Sequence, residues 1–216
     1  MPVTNPVNNT TNAAVARLNC AFCSLCGVLD NANYGGLLGF FSSTVFNLTP
    51  LTITKVEQAF WLYWEHVQGL THDDSKSLER QVAGVKWFLH NMRPTGMNVT
   101  VDQGGTTDHP LESDDAETFM NTYPNNTRFA YLLGPYISGL GFAGAHWLTA
   151  VKTGTGIQYI DYQMDVDAGI RQAVADATPA ATTDLAAPHV TTTPRRPWGE
   201  ALQGGDRVVV LAYLPF

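Results

Sequence analysis

The sequence predicts an α+β protein in which an N-terminal helical part packs on a mainly antiparallel sheet. Apolar residues recur at helical spacing in the first half of the chain, whereas the second half contains short apolar segments separated by turn residues. The chain has 216 residues, 44% of them hydrophobic, which is enough for one core. We therefore predict a single domain, residues 13–216, with a flexible polar arm at 1–12 and a surface excursion at 177–200.

The helical part is predicted to contain three helices. Residues 19–29 form a short helix with Asn19 as a suitable N-cap. Residues 54–68 carry apolar side chains along one face, and so do residues 75–91, which are followed by Pro94. The first of these helices contains all three cysteines of the chain.

The second part is predicted to form the sheet, with strands at residues 98–101, 128–133, 143–152, 157–163 and 207–214. A segment rich in Ala, Thr and Pro separates the last two strands, and a short helical signal at 168–177 precedes it. Because the strand after this segment is strongly apolar, we interpret the segment as a surface excursion of the same domain.

The turn between the third and fourth predicted strands decides which side chains meet across them. A tight turn centred on Gly154 and Thr155 places Asp161 opposite Leu148, one diagonal step from His146 on the same side of the sheet. A three-residue loop would move Asp161 to the other side. His146 and Asp161 are therefore expected to meet only if the turn has an even number of residues.

The cysteines Cys20, Cys23 and Cys26 form the pattern C-x-x-C-x-x-C, which is known from iron–sulfur proteins. Such a cluster needs a fourth ligand in a glycine-rich loop, whereas the next candidate here is Asp30 and the intervening residues suit a buried helix. A zinc site would need a histidine at a supporting spacing, and a redox pair would need a βαβ context, and neither is seen. We therefore predict no metal, no cofactor and no disulfide framework.

Among the three thiols, Cys20 is the predicted nucleophile. It stands in the first turn of its predicted helix, where the helix dipole and free N–H groups favour a thiolate and can stabilise an oxyanion. Cys23 and Cys26 lie deeper in the helix and are predicted to be core residues. With His146 and Asp161, Cys20 gives the order of a Cys–His–Asp triad for acyl transfer.

Three short blocks resemble the papain-fold toxins and the secreted glutamine deamidase effectors of pathogenic bacteria. These blocks are N-C-x-x-C at residues 19–23, H-W at 146–147 and D-x-Q at 161–163. The motifs themselves total ten residues, and the match around them covers about a fifth of the chain. Toxin domains often have Gly where this chain has Tyr162. The resemblance implies a papain-like cysteine enzyme fold with the nucleophile on a helix packed against the sheet.

The resemblance also implies roles for individual residues. Cys20 corresponds to the nucleophile, His146 to the general base and Asp161 to the acid that orients the histidine. Three further residues of the motifs are candidates for oxyanion stabilisation or substrate positioning: Asn19, Trp147 and Gln163.

The activity implied by the resemblance is deamidation of a glutamine or asparagine side chain in a protein of the target cell. Peptide cleavage and transglutamination use the same triad and remain alternatives. An alternative of another class is a non-catalytic adaptor that binds a host protein through exposed aromatic residues. Its candidates are Trp61, Trp64 and Trp87, although their helical spacing favours the core.

Charge and hydropathy restrict the partners. The net charge of −7 argues against nucleic acid and anionic membranes, and no apolar run approaches the length of a membrane span. No Sec signal is recognisable at the amino terminus. The resemblance implies delivery by a specialised secretion system, action in the target-cell cytoplasm, a protein substrate, and a chaperone or immunity protein as a candidate partner.

Overall fold

The computed structural model describes residues 5–6, 13–30, 34, 36–41, 44–49, 51, 53–161, 184–185, 189–194 and 201–216. Within these ranges most helices precede the sheet strands, and all strand pairs are antiparallel. The predicted α+β class is confirmed.

The described residues include four α-helices: α1 (Ala13–Leu29), α2 (Ile53–Leu62), α3 (Leu78–Asn91) and α4 (Ser113–Asn121). A π-helical turn, Tyr63–Val67, continues α2, and a 3₁₀-helix, His72–Lys76, precedes α3. The Ser77 hydroxyl accepts a hydrogen bond from the Arg80 N–H and caps α3.

The strands are β1 (Asn5–Pro6), β2 (Leu37–Phe41), β3 (Thr44–Asn47), β4 (Met92–Pro94), β5 (Val99–Gly104), β6 (Arg128–Ile137), β7 (Gly141–Phe142), β8 (His146–Thr153), β9 (Gly156–Asp161), β10 (Asp184–Leu185), β11 (His189–Thr191) and β12 (Asp206–Pro215). The main sheet has seven strands in the order β11-β9-β8-β6-β12-β5, with β7 paired to β6. A smaller sheet has the order β3-β2-β4, and β1 pairs with β10.

Helices cover both faces of the main sheet. Side chains alternate between the two faces of each strand, so neighbouring residues of β6 enter different cores: Leu132 packs with α1, α2 and α3, whereas Tyr131 and Leu133 pack with α4. Helix α1 lies on β8 and β6 and is almost wholly buried from Ala21 onwards. Helix α1 is thus packed between the sheet and the other helices.

All five predicted strands are confirmed, as β5, β6, β8, β9 and β12, and the two later predicted helices are confirmed as α2 with its π-helical turn and as α3. The sequence reasoning missed β2, β3 and α4. Glycines lie beside and within β2. Helix α4 is short, and only Ala116 and Met120 are buried on its inner side. Neither segment has the long periodic pattern on which the predictions depended.

Helix α1 is longer than predicted. It begins at Ala13, so Asn19 lies inside the helix and the prediction that it is the N-cap is wrong. The preceding residues include Ala, Arg and Leu, which are strong helix formers and extend the helix past the residue that favours a cap. Cys20 consequently stands in the helix interior and not in its first turn.

Two predicted irregular segments are partly described. In the arm predicted at 1–12, Asn5–Pro6 pair with Asp184–Leu185, and the excursion predicted at 177–200 contributes β11 to the edge of the main sheet. The helical signal predicted at 168–177 lies outside the described residues. Among the described helices, none has the length and apolar character required to cross a membrane.

Candidate active site

The β8–β9 hairpin brings His146 and Asp161 together. Thr153 pairs with Gly156 and Thr149 with Ile160, so the turn consists of Gly154 and Thr155 alone, and the predicted register is confirmed. The His146 Nε2 atom lies 2.6 Å from Asp161 Oδ2. The diagonal neighbours expected from the even turn thus form a direct hydrogen bond.

The surroundings of His146 favour the protonated form of its imidazole. Burial lowers its pKa, but the negative charge of Asp161, the hydrogen bond to that carboxylate and the contact with Cys20 outweigh burial and raise the pKa from 6.5 to about 10. Both side chains are nearly enclosed, with residue exposures of 5% for His146 and 7% for Asp161. A buried carboxylate and a buried imidazolium therefore form one ion pair.

The Cys20 side chain lies within hydrogen-bonding reach of the same imidazole. Because Asp161 occupies Nε2, the ring nitrogen left for the Cys20 sulfur is Nδ1. Cys20 is also partly exposed, in contrast to the buried residues that follow it in α1. Cys20 is therefore the most solvent-accessible member of the group it forms with His146 and Asp161.

The backbone of α1 does not supply the oxyanion donor that was predicted at Cys20. In an α-helix the N–H of an interior residue donates to the carbonyl four residues earlier, so the Cys20 N–H is used by Ala16 within α1. The predicted contribution of this N–H to an oxyanion site is therefore wrong. The side chain of Asn19 is not among those described, and Gln163 lies outside the described residues.

The other two thiols are buried, as predicted. Cys23 and Cys26 belong to the core beneath α1. Burial, followed by the two other thiols and the Asp161 carboxylate, raises the pKa of Cys23, and burial together with Asp30 raises that of Cys26. Both are therefore neutral thiols near pH 7. Within the described residues no group of three His, Cys, Asp or Glu side chains is arranged to hold a metal ion.

A pair of buried hydrogen bonds sets the position of α1 on the sheet. The Ser24 hydroxyl donates to the Leu148 carbonyl at 2.6 Å, and the Thr149 hydroxyl donates to the Ser24 carbonyl at 3.1 Å. Ser24 lies one helical turn after Cys20, and Thr149 lies three residues after His146. Removing one partner of a buried hydrogen bond typically costs about 1–3 kcal/mol, so this pair resists sliding of the helix along β8.

Sequence reasoning did not identify Ser24 and Thr149. A single serine in an apolar helix and a threonine in an apolar strand are common, and their pairing depends on the packing of α1 against β8. A second long-range contact, from Arg128 to the Gly27 carbonyl, ties the C-terminal end of α1 to β6. Helix α1 is therefore joined to both β8 and β6.

The structure corrects the interpretation of Trp147. Its side chain is buried in the core that contains α1, so it does not face a substrate from this position. Its indole Nε1 has no hydrogen-bond partner among the described residues. Trp147 is a core residue next to the site.

The aromatic residues considered for an adaptor surface are mostly internal. Trp61 and Trp64 lie in the core with Phe60, whereas Trp87 is more than half exposed. The core position predicted for Trp87 is therefore wrong. A single exposed indole is common on protein surfaces and does not make a docking surface.

Comparisons with protein-family models, with curated proteins and with solved structures find no match.

Proposed function

We propose that the protein is a cysteine hydrolase that deamidates a glutamine or asparagine side chain of a target-cell protein. The observation that carries this proposal is the 2.6 Å contact between His146 and Asp161, with Cys20 within reach of the same imidazole. A partly exposed thiol backed by a buried imidazolium and carboxylate is the arrangement that nucleophilic catalysis by cysteine requires.

In the first half of the reaction, the Cys20 sulfur attacks as a thiolate paired with the His146 imidazolium. A carbon–sulfur bond forms at the amide carbonyl, and the carbonyl π electrons move to its oxygen. When this intermediate collapses, the carbon–nitrogen bond breaks, and His146 supplies the proton with which ammonia leaves. The product is a thioester on Cys20, and His146 is left neutral.

In the second half, neutral His146 takes a proton from water while the water oxygen attacks the thioester. The carbon–sulfur bond breaks, the side chain leaves as a carboxylic acid, and Cys20 returns as a thiolate beside the imidazolium. Asp161 accepts the hydrogen bond from the Nε2–H of His146 and orients the ring, so that Nδ1 is left for the sulfur and the substrate. Asn19 and Gln163 remain the predicted candidates for oxyanion stabilisation or substrate positioning.

Delivery by a specialised secretion system and action in the cytoplasm of a target cell belong to the same proposal. They are supported by the resemblance of residues 19–23, 146–147 and 161–163 to the effector motifs. A chaperone or immunity protein is the expected accessory partner.

Replacing Cys20 by Ala is expected to abolish the activity, because no other described thiol is both accessible and next to His146. Wild-type protein and the Cys20→Ala variant are incubated with a host-cell lysate, and mass spectrometry records Gln-to-Glu and Asn-to-Asp conversion together with new peptide termini. Conversions that only the wild type produces support a deamidase.

The Cys26→Ala variant serves as the matched control, since it removes a buried thiol from the same helix. It should retain the conversions at any temperature at which it stays folded. New termini in place of conversions would identify a protease, and cross-linked glutamines would identify a transglutaminase. If no modification depends on Cys20, the proposed function is wrong.

A further inference from the structure

Strand β5 forms one edge of the main sheet, and part of its backbone is left without a partner. Asn98, just before β5, and Phe216, just after β12, exchange two hydrogen bonds of 2.9 Å. Because the direction of hydrogen bonding alternates along antiparallel strands, Val101 and Gln103 turn their N–H and C=O groups away from β12. Among the described residues no group forms a hydrogen bond with these four backbone atoms.

A cleft of about 630 Å³ lies between β5 and α3, next to this edge. Helix α3 lines the cleft with side chains that recur every three or four positions from Glu79 to His90, a length of about 17 Å at 1.5 Å per residue. An extended strand of about five residues has the same length at 3.3 Å per residue. The apolar side chains that line the cleft are Val82, Ala83, Trp87 and Val101.

The two walls of the α3–β5 cleft are held together by side chains. The Lys86 ammonium group donates to Gln103 Oε1 at 3.1 Å, and the Gln103 amide group donates to the Gly105 carbonyl at 2.9 Å. The Trp87 indole packs edge to face on the His90 imidazole, with ring centroids 6.3 Å apart. The cleft is therefore already formed in the isolated chain.

We infer that the α3–β5 cleft binds an extended polypeptide segment of a partner protein, which adds a strand to the sheet beside β5. The exposed indole of Trp87 does not by itself mark such a site. The unpaired backbone groups of Val101 and Gln103 do, because they are spaced to pair with the backbone of another strand. Every second side chain of the added strand would face the apolar residues of the cleft, so the ligand should have apolar residues at alternate positions.

A second copy of the chain fits this edge poorly. Among the strands of the main sheet, α3 packs mainly on β5. Two copies joined edge to edge through β5 would bring their α3 helices to within about one strand spacing, roughly 4.8 Å, on the same face of the sheet. Packed helices need about 8–10 Å between their axes, so a single strand without an attached helix is the better occupant.

The cleft is separate from the candidate active site. Strands β12 and β6 lie between β5 and β8, which carries His146. None of the residues that line the cleft belongs to the group formed by Cys20, His146 and Asp161. The inference therefore goes beyond the proposed function and does not depend on it.

The test selects phage-displayed linear peptides on the full wild-type chain and measures the affinity of a synthetic, fluorescein-labelled binder by anisotropy. Ala83→Arg places a long charged side chain in the cleft. Thr118→Arg, in α4 on the other face of the sheet, is the matched control, because both positions are exposed on a helix and follow an acidic residue by four positions. Circular dichroism checks that each variant is folded.

We expect Ala83→Arg to weaken peptide binding about tenfold or more, while Thr118→Arg and Cys20→Ala bind within about twofold of the wild type. Selected peptides that bind Ala83→Arg as well as the wild type, or an equal loss in Thr118→Arg, would overturn the inference. A tenfold loss in Cys20→Ala would place the peptide at the candidate active site and would overturn it too. A dimer seen by sedimentation in the wild type and lost in Ala83→Arg would assign the edge to a second copy instead.

Amide hydrogen exchange measured by NMR tests the added strand itself. When the peptide is bound, exchange of the Val101 and Gln103 N–H groups should slow about tenfold or more. Exchange of the Thr100 and Asp102 N–H groups, which already face β12, should change much less. Unchanged exchange at Val101 and Gln103 in the saturated complex would show that the peptide does not extend the sheet.

Discussion

Replacement of Asp161 by Ala is expected to lower the rate of the proposed deamidation by a factor on the order of 10⁴, as in other triads that lose their acid. The carboxylate supplies both the negative charge and the hydrogen bond that keep His146 protonated. Without them the burial of the imidazole dominates and lowers the pKa of His146, so the ring is neutral near pH 7. A neutral ring offers no positive charge to stabilise a negative charge that develops on the Cys20 sulfur.

The pH dependence distinguishes this explanation from simple unfolding. In the wild type the raised pKa of His146 means that the stabilisation from its positive charge is fully present below pH 6.5 and is lost as the pH rises through about 10. Activity that depends on the imidazolium should have its alkaline limit near that value. In Asp161→Ala this limit should move to lower pH.

Asp161→Asn is the matched control, because an amide oxygen still accepts from Nε2–H although the charge is gone. We expect its activity to lie between those of the wild type and Asp161→Ala. Circular dichroism should show that all three proteins are folded at the assay temperature. An Asp161→Ala variant that is folded and retains the wild-type rate and alkaline limit would remove Asp161 from the mechanism.

Replacement of Gly134 by Ala, in the strand next to β8, is expected to lower both the free energy of unfolding and the rate of the proposed reaction. A Cβ at this position would stand 2.0 Å from the Gly144 carbonyl oxygen, far inside contact distance, and the clashing atom belongs to the backbone. Gly144 lies two residues before His146, so relief of the clash displaces the start of β8. Overpacking of this kind costs about 1–3 kcal/mol, and a shift of about 1 Å in a catalytic group can cost 100-fold in rate.

Gly144→Ala is the control for Gly134→Ala, because a Cβ at Gly144 meets nothing within 4 Å. Urea denaturation should show a lower free energy of unfolding for Gly134→Ala only. The deamidation rate of that variant, measured under conditions where it is folded, should fall about 100-fold. Equal stability and activity of the two variants would contradict the backbone contact described here.

The parts of the site that could be predicted from sequence are those that depend on local geometry. The pairing of His146 with Asp161 followed from the parity of one turn, Gly154-Thr155, and from the alternation of side chains along a strand. The burial of Cys23 and Cys26 followed from their apolar neighbours in a helix. Each of these required only the regular spacing of one element or one hairpin.

The parts that were missed depend on contacts between distant elements. Asn19 has the residue type of a cap, but the strong helix formers before it extend α1 and leave Cys20 in the helix interior. The hydrogen bonds between Ser24, Leu148 and Thr149 arise only once α1 lies on β8. The clash that would follow a Cβ at Gly134 likewise depends on how the chain returns from β7 to β8.

The central claim is that the His146 imidazolium activates the Cys20 thiol. The most direct measurement of this is the alkylation rate of each cysteine in the folded protein. Iodoacetamide is added near pH 7, and mass spectrometry follows Cys20, Cys23 and Cys26 separately in the wild type and in His146→Ala. We expect Cys20 to react at least tenfold faster than the two buried thiols in the wild type.

Greater solvent exposure alone would also make Cys20 alkylate faster than the buried thiols. The His146→Ala variant separates this effect from activation by the imidazolium. If the imidazolium activates the thiol, Cys20 should lose most of its rate in this variant although it is no less accessible. An unchanged Cys20 rate in folded His146→Ala, or equal rates for all three cysteines in the wild type, would contradict the claim.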